Sequence, residues 1–157
     1  MYDKILLPLD GSEFAERIIP QVEPLAEKLG SELILLQVTT SFETLIAETT
    51  PGMAGSGGMS MDPTPIVEAE QAASGEYLAG LAARLSAKGF KVSVEHPTGH
   101  GARTIIERAQ ALGVSLIAMT THGRSGIGRL VFGSVAEEVL RHAQCPVLVV
   151  RLTDPAK

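Results

Sequence analysis

The segment KILLPLDGS, residues 4–12, joins an apolar run to a turn and to a helix start. Residues 4–9 (KILLPL) are apolar almost throughout, which is typical of a strand covered on both faces. Asp10 and Gly11 are turn residues, and Ser12 is a favourable N-cap. A strand that passes through a short turn into a helix predicts the first half of a βαβ unit.

Four further short runs along the chain also predict strands. They are residues 33–38 (LILLQV), 91–95 (KVSVE), 115–119 (SLIAM) and 146–150 (PVLVV). Helical patterns lie between them, at residues 12–30, from about Pro65, at 103–112 and at 134–142. Strand and helix therefore alternate in the order β-α-β-α-β-α-β-α-β, which predicts an α/β fold with right-handed crossovers and a mostly parallel sheet.

The helical spacing also predicts which side chains are buried. In the first helix Pro20 and Pro24 predict a kink or a break, and Gly30 is placed as a C-cap. The predicted inward faces are Ala15, Ile18, Ile19, Val22, Leu25, Ala26 and Leu29 in the first helix, then Ile66, Ala73, Tyr77, Leu81 and Leu85, then Ile105, Ile106, Ala109 and Leu112, and finally Val135, Val139 and Leu140.

The bulk composition is that of an ordinary globular protein. The chain has 157 residues, 45% hydrophobic and 20% charged, which suits a single domain over residues 1–157. Residues 39–64 are rich in Gly, Met, Ser and Pro, and we expect a flexible surface insertion at about 40–64, with a lid as the alternative. The net charge of -5 gives no broad attraction for nucleic acid. One cysteine, no apparent membrane span and no signal peptide predict a cytoplasmic protein.

Two features follow strands at the edge where parallel sheets bind ligands. Asp10 follows the first strand and can accept a hydrogen bond from a base or a ribose, or it can serve only the turn. The second feature is THGRSGIGRLVFGS, residues 121–134, after the fourth strand. Its four glycines, two arginines and helix start favour a polyphosphate, because backbone N–H groups and a helix N-terminus attract anions.

Simpler explanations exist for the members of this second segment. Ser134 and Glu137 form the pattern S-x-x-E, which predicts a capping box without any ligand. The spacing from Gly128 to Gly133 and Ser134 resembles a P-loop but lacks its lysine. The four glycines and the helix start taken together still favour phosphate binding.

At these residues the chain resembles the universal stress protein family, over nearly its whole length. The matching segments are KILLPLDGSEFAE, LILLQV, THGRSG and FGSVAEEVLRHAQCPVLVV. The nucleotide-binding branch of that family carries G-x2-G-x9-G-[ST]. Gly123, nine further residues, Gly133 and Ser134 fit this spacing, whereas Thr120 stands where the first glycine would be.

The resemblance implies a doubly wound sheet of order 3-2-1-4-5 and a set of ligand-binding residues. Asp10, Val38, Pro8 and Met119 would surround adenine, and Thr120, Gly123, Gly133, Ser134 and Val135 would hold the ribose and phosphates. The implied ligand is ATP, with Mg²⁺ or Mn²⁺ on its phosphates. Since such proteins pair through their last strand, we also expect a homodimer that covers an apolar edge.

We therefore expect a nucleotide-dependent regulatory dimer in the stress response that acts on a protein partner and binds neither nucleic acid nor membrane. One alternative is a slow ATP hydrolase, because Asp10 and His122 are the only nearby candidates for acid–base chemistry and efficient catalysis needs more. A second alternative is a dimeric interaction module that binds no nucleotide. A third is a module that binds a cyclic nucleotide.

Overall fold

The computed structural model describes residues 1–39, 64–122 and 133–152. In chain order the described elements are β1 (Lys4–Pro8), α1 (Glu13–Glu16), α2 (Ile19–Leu29), β2 (Glu32–Leu36), α3 (Thr64–Ala87), β3 (Lys91–Glu95), α4 (Gly101–Ala111), β4 (Leu116–His122), α5 (Ser134–His142) and β5 (Val147–Leu152). The predicted insertion, except Thr64, and the loop that contains Gly123 lie outside these ranges.

The strands within the described ranges form one sheet in the order β3-β2-β1-β4-β5, and every neighbouring pair is parallel. The predicted α/β class and the strand order 3-2-1-4-5 are confirmed. Helices pack on both faces, as right-handed crossovers require. The order reverses between β1 and β4, so the connections from these two strands leave the sheet on opposite faces.

Each face of the sheet carries its own apolar layer. On one face, side chains of α1, α2 and α3 pack against alternate residues of the central strands, among them Ile5 and Leu7. On the other face, α4 and α5 pack against Leu6, Ile117 and Met119. Because successive strand residues point to opposite faces, the continuous apolar runs of β1 and β2 supply both layers at once.

The first predicted helix is broken, as its prolines indicated, but the break lies before both prolines. α1 ends at Glu16, and α2 begins at Ile19 with Pro20 in its first turn, where a missing N–H costs nothing. Pro24 lies within α2. Gly30 ends the helix in the left-handed region at φ 67°, which confirms the predicted C-cap.

The predicted inward faces are wrong at several positions. In α3, Ile66 and Ala73 are exposed, whereas Ser74 and Leu78 are buried beside the correctly predicted Leu81 and Leu85. The first turns of this 24-residue helix are exposed almost all round, so an apolar side chain there has little to pack against.

The same error occurs at the ends of two other helices. Leu29 is exposed in the last turn of α2, and Val135 and Leu140 of α5 are each about two-fifths exposed. In α5 the core contacts come from Ala136 and Val139 instead.

The strand bounds differ slightly from those predicted. β2 begins at Glu32 and ends at Leu36, so Val38 lies just beyond the strand instead of within it. β4 continues to His122, three residues further than the apolar run indicated, because the threonines at 120 and 121 pair with β5. No helix in the described ranges is long and apolar enough to cross a membrane.

Candidate functional site

A crevice opens between β1 and β4 at the carboxyl end of the sheet. The two strands pair at Ile5–Leu116 and Leu6–Ile117, close to their beginnings. The Leu9 amide donates to the Leu36 carbonyl of β2 at 2.7 Å. Because successive residues of a strand direct their backbone N–H groups to opposite neighbours, the backbone nitrogen of the residue before Leu9 faces β4. That position is Pro8, which has no N–H to continue a ladder with β4. The proline thus helps to keep the strands apart where the sheet order reverses.

A cavity of about 290 Å³ occupies this crevice. Its walls come from the end of β1, the start of α1, the end of β2, the start of α4, the end of β4 and the start of α5. The lining residues are Pro8, Leu9, Asp10, Phe14, Ala15, Leu36, Val38, Gly101, Ile105, Met119, Thr120, Thr121, Gly133, Val135 and Ala136.

Most of the residues singled out in the sequence line this one cavity. They are Pro8, Asp10, Val38, Met119, Thr120, Gly133 and Val135. Ser134 lies between two lining residues as the first residue of α5 but does not line the cavity itself. Gly123 lies outside the described residues. The structure therefore brings together residues that are up to 127 positions apart in the chain, from Pro8 to Val135.

Asp10 shapes the turn that leads into α1. Its Oδ1 accepts hydrogen bonds from the Ser12 amide at 2.9 Å and from the Ser12 hydroxyl at 2.5 Å. The Ser12 hydroxyl oxygen in turn accepts from the Ala15 amide at 3.1 Å and caps the helix. Both bonds to Asp10 use one carboxylate oxygen. The turn function and a ligand function are therefore compatible, since Oδ2 carries no bond from the described residues.

The start of α5 corrects the predicted capping box. Gly133, not Ser134, is the N-cap, with φ -60° and ψ 151°, and no side chain caps the helix. The Glu137 amide donates to the Gly133 carbonyl at 2.9 Å, which moves the helix start one residue earlier than S-x-x-E requires. The Glu137 carboxylate instead pairs with Arg141 at 2.7 Å. No side chain of the described residues therefore accepts from the first amides of α5 beside the cavity.

Several lining residues were not found from the sequence. Phe14 and Ala15 belong to the turn of helix just after Asp10, and Gly101 opens α4 after β3. The rule that ligands lie beyond strand ends could have indicated these three. Thr121 was included only as the first letter of the glycine-rich segment, and Leu36 and Ile105 were assigned only to the core.

The described residues contain no group of three or more His, Cys, Asp or Glu side chains that could hold a metal ion.

Comparisons with known proteins identify the family. The family model of the universal stress protein family matches residues 1–151. The chain belongs to the universal stress protein family. This confirms the resemblance seen in the sequence.

Among curated relatives, universal stress protein MJ0531 of Methanocaldococcus jannaschii is 29% identical over 96% of this chain and 83% of its own. Universal stress protein YxiE of Bacillus subtilis is 28% identical over 96% of this chain and all of its own. The solved structure of MJ0577, a universal stress protein of M. jannaschii, superposes with a TM-score of 0.77 at 28% identity and covers 99% of both chains. A universal stress protein solved in complex with cAMP shares the fold, with a TM-score of 0.63 at 21% identity over 96% of this chain and 98% of its own.

Proposed function

We propose that this universal stress protein binds ATP in the crevice between β1 and β4 and acts as a nucleotide-dependent regulatory protein in the stress response. One observation carries the proposal: a single cavity at the reversal of the sheet gathers seven of the nine residues that the family resemblance implied. Ligands of doubly wound sheets bind at this place.

The inner part of the cavity suits a purine. Leu36, Val38 and Met119 offer apolar surface on which a flat base can pack. Asp10 stands at the edge of the same cavity, where its second carboxylate oxygen can accept from a ribose hydroxyl or a base amino group. One carboxylate among apolar walls would bind the nucleoside end and fix its orientation.

The outer part suits phosphate. The N-terminus of α5 carries the positive end of the helix dipole, and no side chain of the described residues caps its first amides. Gly133 has an ordinary φ of -60°, and a Cβ built on it meets no heavy atom of the described residues within 4 Å. The backbone of this position therefore does not itself require glycine. Close approach of a ligand explains it better.

Mg²⁺ or Mn²⁺ would bind with the nucleotide. ATP supplies phosphate oxygens, the ligands that Mg²⁺ prefers, and the protein then needs to add few. In this proposal Gly123 and Ser134 complete the phosphate cradle and Thr120 contacts the ribose.

A regulatory role is favoured over rapid catalysis. The side chains that line the cavity include one carboxylate, Asp10, and no lysine or histidine among the described residues. Rapid phosphoryl transfer needs charge stabilisation at the transferred group. At most slow hydrolysis of ATP would occur. A cyclic nucleotide is the second candidate ligand, because a protein of the same fold is known in complex with cAMP.

We infer a cytoplasmic homodimer that pairs through β5, with residues 1–157 folding as one domain. Nucleotide binding would then change a surface that a protein partner contacts.

The first experiment is to denature freshly purified protein and identify any released nucleotide by mass spectrometry. The emptied protein is then titrated with Mg-ATP, ADP, cAMP and adenosine by calorimetry. Copurified ATP or ADP, or saturable binding of Mg-ATP, supports the proposal. No copurified nucleotide and no binding of any of the four would contradict it and favour the interaction module.

A matched pair at the start of α5 tests the phosphate end. Asp and Asn are both good N-caps, so Gly133→Asp and Gly133→Asn should each raise the free energy of unfolding by a few tenths of a kcal/mol. Only the aspartate places a negative charge against the phosphates. We expect Gly133→Asp to weaken ATP binding at least about tenfold more than Gly133→Asn, and to alter adenosine binding equally little. Equal ATP affinities in the two variants would place the phosphates elsewhere.

A further inference from the structure

Thr121 carries a buried hydroxyl without a hydrogen-bond partner in the described part of the chain. The residue is 5% exposed, lies near the end of β4 and lines the cavity between β1 and β4. Its Oγ1 is buried and has no hydrogen-bond partner among the described residues. Burying a hydroxyl without a partner is energetically costly, so proteins rarely keep one without a reason.

Two other buried hydroxyls, those of Thr39 and Ser31, have partners, whereas that of Tyr77 has none but packs in the layer on the other face of the sheet. The Thr39 hydroxyl lies 3.2 Å from that of Thr98, and it also donates to the Pro97 carbonyl at 3.4 Å. The Ser31 hydroxyl donates to the Tyr2 carbonyl at 2.6 Å. Thr121 differs from all of these residues because it lines a cavity large enough for a ligand.

The position of Thr121 in β4 indicates what such a ligand would present. Ile117 and Met119 belong to the layer packed by α4 and α5. Thr121 comes two residues after Met119, so it lies on the same face of the sheet. Gly133 and Val135, at the start of α5, line the same cavity. Thr121 is thus on the face whose helix offers an anion-binding N-terminus, and not on the face packed by α1.

We propose that the Thr121 hydroxyl donates a hydrogen bond to a phosphate oxygen of the nucleotide held at the N-terminus of α5. The inference rests on the proposed function and adds a residue to it. Because the oxygen is closed to solvent in the ligand-free fold, the side chain turns about χ1 towards the cavity to make this bond. The hydroxyl then gives up no bond to water or protein when the ligand arrives. It therefore contributes more to phosphate binding than an exposed hydroxyl would.

The test uses two variants in the full chain. Thr121→Val keeps the shape and removes the hydroxyl, and Thr121→Ser keeps the hydroxyl. By calorimetry we expect Thr121→Val to weaken Mg-ATP binding about tenfold while adenosine binding is unchanged, and Thr121→Ser to retain most of the ATP affinity.

Thermal unfolding without nucleotide gives a second readout with the opposite sign. Thr121→Val should raise the melting temperature by about 2–4 °C, because a methyl group replaces an unpaired buried hydroxyl. Thr39→Val, the control at a buried threonine with partners, should lower it. A structural hydroxyl at residue 121 would make both valine variants less stable.

The outcomes separate this inference from the proposed function. If the wild type binds Mg-ATP and Thr121→Val binds it equally well, the inference is wrong and the proposed function stands. If Thr121→Val weakens ATP and adenosine equally, the hydroxyl does not act on phosphate. If the wild type binds no nucleotide, both the inference and the proposed function are wrong.

Discussion

Asp10 shows how one side chain can serve a turn and still be available to a ligand. Its Oδ1 accepts hydrogen bonds from Ser12, which in turn caps α1. The local fold therefore uses one of the two carboxylate oxygens. The sequence left the turn and ligand functions as alternatives. The structure places the residue in the cavity wall as well.

Two substitutions separate these functions. Ser12→Ala removes the helix cap and should lower the free energy of unfolding by about 1 kcal/mol. Asp10→Ala removes the acceptor of the turn and should cost a similar amount or less, since the site is exposed. Only Asp10→Ala should also weaken ATP and adenosine binding about tenfold, because a hydrogen bond to a charged group is lost. Chemical denaturation and calorimetry measure the two effects, and equal binding losses in both variants would indicate that Asp10 acts through the turn alone.

Cys145 is expected to be an unreactive thiol. It is half-buried before β5, at a second cavity of about 190 Å³, and burial raises the pKa of its thiol. A raised pKa keeps the thiol protonated, and the protonated form is a poor nucleophile. At pH 8 iodoacetamide should therefore modify native protein more slowly than protein unfolded in urea. Equal rates would contradict this expectation.

Among the elements, α3 departs most from its sequence pattern. Its later part is anchored by Leu78, Leu81 and Leu85, which pack on the sheet, whereas Ile66 near its start is exposed. Helical periodicity tells which residues share a face, but it does not tell how far along the helix that face is covered. The length of α3 that meets the sheet depends on the position of β2 and β3, which no local pattern contains.

Gly80 in α3 offers a stabilising substitution. It is exposed, and a Cβ there would meet no heavy atom of the described residues within 4 Å. Gly80→Ala should raise the free energy of unfolding by about 0.5–1 kcal/mol, since alanine loses less conformational entropy in a helix. Gly30→Ala is the control. It should destabilise the protein, because Gly30 has φ 67°. Destabilisation by Gly80→Ala would contradict the open space around this position.

In the whole molecule, β5 lies at one edge of the sheet. Leu148 in this strand is 36% exposed, and Val147 and Val149 are only partly buried. An apolar edge strand can pair with another chain, and a two-fold pairing would cover both copies at once.

The proposed dimer can be tested at this edge. Light scattering after size-exclusion chromatography should show a dimer at micromolar concentration. Leu148→Lys should shift it towards monomer, because a charged side chain on an edge strand disfavours pairing with another strand. Leu29→Lys, at a similarly exposed leucine on α2, should leave the dimer intact. A wild type that is monomeric at micromolar concentration would contradict the proposed pairing.

The amino-acid sequence alone determined the alternation of strands and helices, because burial on two faces leaves continuous apolar runs and helical packing leaves a 3.6-residue period. Through its motifs and the family resemblance that they carry, it also indicated seven of the fifteen residues that line the cavity. Only the tertiary structure showed that Gly133 caps α5, that Val38 lies beyond its strand and that Thr121 keeps an unpaired hydroxyl. These facts depend on which backbone groups and side chains from distant elements meet, and local sequence patterns do not record such encounters.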